Sequence, residues 1–275
     1  MTSTDPREGG APIGIAEAFL ALHVPGEPLL IPNPWDVGSA RLLAWMGFKA
    51  LATTSSGSAM TLGQLDGSLS RDQALAQAAM IVDGVRIPVS ADLENCFADE
   101  ASQAAETVRA AASVGLAGCS IEDWDGEQIY PHDVAVERVR AAAAAAHEEP
   151  RIVLTARAEN YLHGREDLAD TIKRLQAYQD AGADVLYAPG ITELAELRAL
   201  VSSVERPVNV LAMASTPPVA QLADIGVARV SVGGAFAFAA AGALVAAATE
   251  LRDSGTYLYA ELSADGRAAV RAAFG

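Results

Sequence analysis

From Leu29 onward, short apolar runs alternate with alanine-rich segments that repeat every 3.6 residues. Parallel strands buried on both faces and crossed over by amphipathic helices leave this pattern. Eight apolar runs can be counted, at residues 29–34, 50–55, 87–92, 118–123, 152–157, 184–188, 207–211 and 229–233. The segments between them predict helices over 39–46, 71–85, 100–114, 134–147, 165–181, 194–204 and 219–225. Gly47, Gly115, Gly182 and Gly226 each stand where a predicted helix gives way to the next strand, as a left-handed C-terminal cap requires. Eight strand–helix units in about 250 residues is the arithmetic of a (β/α)8 TIM barrel. The alternative is an open, doubly wound sheet. Its dinucleotide-binding form needs G-x-G-x-x-G after the first strand, and none follows residue 34.

The 275 residues therefore read as one barrel domain, with a leading helix near Ile15 and a helical tail from Thr256 to Gly275. Nineteen basic against 35 acidic residues give a net charge of −16, which disfavours nucleic acid and anionic lipid as partners. The stretch 230–248 is mostly Ala and Gly and reads as a strand followed by a buried helix, not a membrane span. The N-terminal residues carry no basic and then apolar segment of an export signal, and Cys96 and Cys119 read as reduced thiols. A cytoplasmic chain is expected.

In a (β/α)8 barrel the chemistry sits at the C-terminal strand ends. Those ends carry Asn33-Pro34-Trp35-Asp36, Thr53 to Ser58, Ser90 to Asn95, Glu122-Asp123-Trp124 and Arg157 to Asn160, while the sixth and eighth offer almost nothing ionisable. Asp92 and Glu122, joined by Glu94, form a carboxylate cluster suited to a hard divalent cation such as Mg2+. Asp36, Glu122 and Asp123 read equally as helix caps or partners of Arg157. The Ser55-to-Ser58 turn offers backbone amides to an oxyanion, and the fork of Arg157 fits a carboxylate or, structurally, Glu122 or Glu159. Gly233-Gly234 reads as close packing, with no basic neighbour beyond Arg229. Among four histidines only His132, after the fourth strand, lies in a gating position.

In order, Asn33-Pro34-Trp35-Asp36, Thr54-Ser55-Ser56-Gly57, Ala91-Asp92-Leu93-Glu94-Asn95, Ser120-Ile121-Glu122-Asp123 and Thr155-Ala156-Arg157 resemble the isocitrate lyase and phosphoenolpyruvate mutase superfamily over residues 30–240. The resemblance implies a barrel whose eighth helix is exchanged between subunits of a homo-tetramer or dimer. It also implies Mg2+-dependent making or breaking of C–C or P–C bonds in small 2-oxo or 2-hydroxy carboxylic acids. Carried over, Ser56, Gly57 and Ser58 hold the substrate through backbone amides, and Asp92 and Glu122 bind Mg2+ with Asp66 further out. Arg157 clamps the carboxylate and Asn209 touches a distal group.

Ser90 replaces the first acid of the family's Asp-Ala-Asp, which leaves Glu94 to compensate. The loop from Trp124 to His132 lacks the lyases' Lys-Lys-Cys-Gly-His, leaving Glu127, Tyr130 or His132 as proton donor. Pro189 and Ala212 stand where lyases carry glutamates, which implies a smaller acid. The expected activity is a Mg2+-dependent C–C lyase or decarboxylase working through an enolate. The alternatives are a P–C enzyme acting on phosphonopyruvate, or a silent 2-oxo acid binding protein.

Overall fold

A computed structural model describes residues 14–275; the N-terminal stretch read for an export signal lies outside them but for Gly14. In chain order the elements are α1 (Ile15–Leu20), β1 (Leu29–Ile31), α2 (Val37–Trp45), β2 (Leu51–Ala52), α3 (Ser55–Thr61), α4 (Arg71–Gly84), β3 (Val89–Ala91), α5 (Ala101–Ser113), β4 (Gly118–Glu122) and α6 (His132–Ala146). They continue with β5 (Val153–Arg157), α7 (Leu168–Asp180), β6 (Val185–Tyr187), α8 (Leu194–Ser202), β7 (Val208–Leu211), α9 (Val219–Asp224), β8 (Arg229–Ser231), α10 (Ala235–Ser254) and α11 (Ala260–Phe274). All eight expected strands form, each parallel to its neighbours, in the order β1-β8-β7-β6-β5-β4-β3-β2. The seam between β2 and β1 is closed by the Ala52 amide donating to the Pro32 carbonyl at 3.1 Å and the Asn33 side chain donating to the Thr53 carbonyl at 2.9 Å.

Most ladders are shorter than the apolar runs, because the last residues of a run leave the sheet for the loops that carry the polar groups. Local chemistry sets the helix starts. The Asp36 carboxylate accepts from the Ser39 amide at 2.6 Å and the Ser39 hydroxyl accepts from the Asp36 amide at 3.1 Å, a capping box that makes Asp36 a structural cap. Gly47, Gly115, Gly182 and Gly226 all have positive φ, as the helix-to-strand pattern requires.

One apolar core lies between the sheet and the helices, where Ile81, Val108, Leu116, Leu175 and Leu200 are buried. A second fills the N-terminal mouth, where α1 drives the fully buried Phe19 against Leu29, Ile31, Val153 and Val185. The barrel is thus plugged at one end and open at the other. Cys96 and Cys119 are buried and unbridged.

Two expectations change. The Ser-Gly turn after β2 is the first turn of a helix, α3, capped by the Thr54 hydroxyl. The helix after β8 is not buried within the chain: only Ala237 of α10 is covered, whereas Phe238, Leu244 and Val245 face outward. By length and composition alone α10 could also cross a membrane.

Candidate active site

The polar centre is Arg157, the last residue of β5. It sits opposite Glu122 of β4 in the ladder, so the two side chains leave the sheet on the same face. Its Nη1 donates to Asp92 Oδ1 at 2.8 Å and lies 3.1 Å from Glu122 Oε2, while Nε donates to Glu159 at 2.8 Å. No protein acceptor meets Nη2 among the described residues. Burial disfavours its charge, but Glu122, Glu159 and Asp92 outweigh burial and hold the guanidinium firmly protonated. Burial also lifts the Glu122 carboxyl well above the usual range; Arg157 pulls it only part of the way back against Glu159, Asp92 and Glu94.

Two cavities meet at Arg157. The inner one, about 190 Å³, runs into the barrel past Ser56, Asp92, Tyr187, Asn209 and Arg229. The outer one, about 660 Å³, is bounded by Glu94, Glu122, Trp124, Glu159 and His163. Asp66, exposed on the loop between α3 and α4, borders both. Across the outer cavity the His163 ring stacks on Trp124, with centroids 3.5 Å apart. Burial pushes the His163 imidazole below its ordinary value, and Arg157 adds to that against Asp123.

Glu94 reaches this site from a strained turn. Glu94, Cys96 and Phe97 all have positive φ, a region that such side chains rarely enter and that concentrates at functional sites. The turn is braced by the buried Arg138, whose guanidinium donates to the carbonyls of Asn95 and Ala98, each at 2.6 Å, and of Asp99. Glu94 Oε1 is buried without a partner, and burial first, then Asp92 and Asp66, raise its carboxyl to about 7 against the pull of Arg157.

Several expected roles move. Tyr130 lines neither cavity; its hydroxyl donates to Asp99 at 2.7 Å and accepts from Asn95 at 3.2 Å, and its ring lies 4.3 Å from the Arg138 guanidinium. Burial first and the Asp99 bond second raise the phenol to about 12, and Tyr130 braces the turn away from both cavities. His132 is the first residue of α6 and borders neither cavity, and Glu127 is exposed at the loop tip. The Gly57 and Ser58 amides are spent inside α3, on the Thr54 hydroxyl at 3.4 Å and the Thr54 carbonyl at 3.0 Å. The first-turn amides left without a helical acceptor are those of Ser55 and Ser56, and the Ser55 amide approaches Asp92 Oδ2 at 3.4 Å. Gly57 is instead a close-packing position: a Cβ there would lie 2.6 Å from Thr54 Cγ2 and 3.0 Å from Trp35 Cβ. Gly234 is likewise tight, since a Cβ would overlap Ser56 Oγ, as its close-packing reading requires.

Asp123 belongs to a buried scaffold, accepting from Tyr178 at 2.5 Å, Arg174 at 3.0 Å and the Glu159 amide at 2.8 Å. Asn209 borders the inner cavity but donates to Ser231 at 2.9 Å and accepts from Arg229 Nε at 2.9 Å. Sequence reasoning passed over His163 and Arg229. His163 lies six residues past Arg157, on the loop that follows β5, where the logic applied to His132 would have found it. Arg229 opens β8 and reaches the cavity from below, so inspection of strand ends alone overlooks it.

Asp92, Glu94 and Glu122 themselves offer only oxygen donors, and Mg2+ is commonly held by one or two carboxylates with retained waters. The unpartnered Glu94 Oε1 beside Asp92 and Glu122 suits such a loosely held, hydrated ion. Among the described residues no three His, Cys, Asp or Glu side chains are placed to enclose a metal ion unaided.

The fold and these strand ends define an enzyme of the isocitrate lyase type. The phosphoenolpyruvate phosphomutase family profile matches residues 19–252, and the chain belongs to this family of carbon–carbon lyases and mutases. It is 31% identical to 2-methylisocitrate lyase of Escherichia coli K12 over 214 residues, covering 73% of this chain and 71% of that protein. A solved protein of Burkholderia cenocepacia J2315 is 53% identical and superposes with a TM-score of 0.90 over 94% of this chain and 95% of its own. Oxaloacetate acetylhydrolase, solved with its product oxalate, is 26% identical with a TM-score of 0.80 over 88% of each chain.

Proposed function

We propose that this chain is a Mg2+-dependent C–C lyase or decarboxylase acting on a small 2-oxo or 2-hydroxy carboxylic acid through an enolate. The observation that carries the reading is Arg157, pinned on two edges by Asp92, Glu122 and Glu159 while Nη2 is left for a ligand. A guanidinium so held presents the N–H groups of Nη2 to a carboxylate in a fixed direction and loses little freedom on binding it. Asp92 and Glu122, with Glu94 beside them, would hold Mg2+, which when bound supplies Lewis-acid stabilisation of the developing enolate oxygen. The Ser55 and Ser56 amides add hydrogen-bond donors on the same side of the cavity. His163 carries the proton: it borders the outer cavity, its stack on Trp124 fixes the ring there, and burial pushes its imidazole below the ordinary value.

Two observations support other chemistries. The matched profile is that of a phosphomutase, which favours P–C chemistry on phosphonopyruvate. Ser90 in place of an acid, with a loop lacking Lys and Cys, favours binding without turnover. Melting curves with oxalate, with and without Mg2+ and EDTA, test the site itself. A Tm rise that needs Mg2+ and is lost in Asp92→Asn supports the reading, and no rise under any condition opposes it.

The same proposal includes assembly. Leu30 of β1, on the outer barrel face that an eighth helix covers, is 43% exposed, while Leu244 and Val245 of α10 are 70% and 64% exposed. A barrel lacking its eighth helix and an apolar helix lacking a barrel complete each other when α10 is exchanged between copies in a homo-oligomer.

A further inference from the structure

Three arginines are buried among the described residues: Arg138, Arg174 and Arg229. Arg138 spends its charge on three backbone carbonyls, and Arg174 on Asp123 and Asp170. Arg229 meets no anion. Its Nε donates to Asn209 Oδ1 at 2.9 Å, and its Nη1 lies 3.2 Å from the Thr155 hydroxyl and 3.4 Å from His23 Nε2, all of them neutral acceptors.

The cation also bears on the neutrality of His23. Burial, and then Arg229, depress the imidazole to about 3, and Nδ1 lies 3.0 Å from the Phe19 carbonyl, so Nδ1 carries the proton and Nε2 accepts. The guanidinium also fixes Asn209, whose Oδ1 faces Arg229 and whose Nδ2 therefore donates to Ser231. Burial lowers Arg229 to about 10, which leaves it charged at neutral pH.

A buried charge without a counter-charge is costly, and such groups persist where a ligand completes them. Arg229 borders the inner cavity, which Arg157 also lines and whose Ile31 packs in the N-terminal core with Phe19 of α1. Nη2 has no protein acceptor among the described residues.

We infer that Arg229 is the second anion-binding group of this cavity, seating a second carboxylate or a phosphonate of the substrate deep in the barrel while Arg157 holds the first. This rests on the reading of the cavity as a 2-oxo acid site, and it restricts the substrate to acids with two anionic ends. The volume of about 190 Å³ restricts it further, to a short chain.

The test measures calorimetric affinities, with Mg2+ present, for pyruvate, 3,3-difluorooxaloacetate and phosphonopyruvate. The proteins are the wild type, Arg229→Gln, Arg229→Lys and Arg157→Gln. The wild type is expected to bind at least one of the two dianionic acids far more tightly than pyruvate. Arg229→Gln is expected to weaken that acid roughly ten- to hundredfold, the loss of a hydrogen-bonded charge, with pyruvate changed less than about threefold. Arg157→Gln should weaken all three. Whichever dianion is preferred tells carboxylate from phosphonate. A folded Arg229→Gln protein that keeps the full preference overturns the assignment and leaves the 2-oxo acid reading standing. If Arg229→Gln does not fold, Arg229→Lys decides, since it keeps the charge and loses the fork. About a tenfold loss for the dianion alone supports the assignment, and unchanged affinity overturns it. If the wild type binds none of the three acids, the reading of the cavity fails and takes this assignment with it.

Discussion

Glu122 and Arg157 face each other across the β4–β5 ladder, and their side chains meet at 3.1 Å at the open end of the barrel. The register makes this pair, because two residues opposed in parallel strands present their side chains to the same face. Arg157 is thereby both a ligand group and the counter-charge for three carboxylates. Arg157→Ala should abolish turnover of any true substrate and also lower stability by about 3 kcal/mol, because Asp92, Glu122 and Glu159 lose their common partner. Denaturant unfolding and steady-state kinetics on the same preparation check both parts. Unchanged kinetics would remove the clamp.

The pair was legible in the sequence to a useful degree. Apolar runs and glycine caps locate the strand ends, so Asp92, Glu122 and Arg157 group together from sequence alone. The helical turn after β2 could not, since Ser-Ser-Gly-Ser has weak helix propensity and α3 depends on its Thr54 cap and on Gly57 packing against Trp35 and Ala237. The place of Tyr130 is not legible for a related reason. Its loop follows an active-site strand, but its direction is set by the Asp99 and Arg138 contacts, which sequence spacing does not encode.

His163→Asn should reduce kcat by about a hundredfold or more with a smaller effect on KM, as removal of a proton carrier does. Tyr130→Phe should instead lower stability modestly, by roughly 1 kcal/mol for the lost hydrogen bond, with kcat close to wild type. The reverse outcome, a silent His163 and an essential Tyr130, would return the proton to the loop after β4.

His23 gives the ligand-free protein an acid-sensitive component. Its imidazole titrates at 6.5 when unfolded and at about 3 when folded, so between these values the unfolded state binds more protons and stability falls as pH drops. The slope is at most roughly 1.4 kcal/mol per pH unit. Glu94 acts in the opposite sense, because its raised carboxyl binds a proton more tightly in the fold and favours the folded state as pH falls from about 7. Thermal melts of the wild type and His23→Gln across pH 4 to 7 separate the two, with the variant expected to lose less stability on acidification.

The exposed apolar face of α10 should be covered in solution by a second copy. Light scattering on the purified wild type should give a dimer or tetramer, and Leu244→Glu with Val245→Glu should reduce the mass toward a single chain. A wild type that is monomeric throughout would contradict the exchange.

Metal-dependent bond cleavage in a small acid is read out by proton and phosphorus NMR. The protein would be incubated with Mg2+ and, separately, oxaloacetate, 2-methylisocitrate, 2,3-dimethylmalate and phosphonopyruvate, with parallel samples in EDTA and with Arg157→Ala. The expected result is an enzyme-dependent C–C cleavage or decarboxylation product from at least one carbon acid, lost in EDTA and in the variant. Conversion that persists in EDTA, or the absence of any product from the carbon acids alongside tight binding of one of them, would contradict a Mg2+-dependent lyase. The second outcome would leave a barrel that holds its ligand without breaking it.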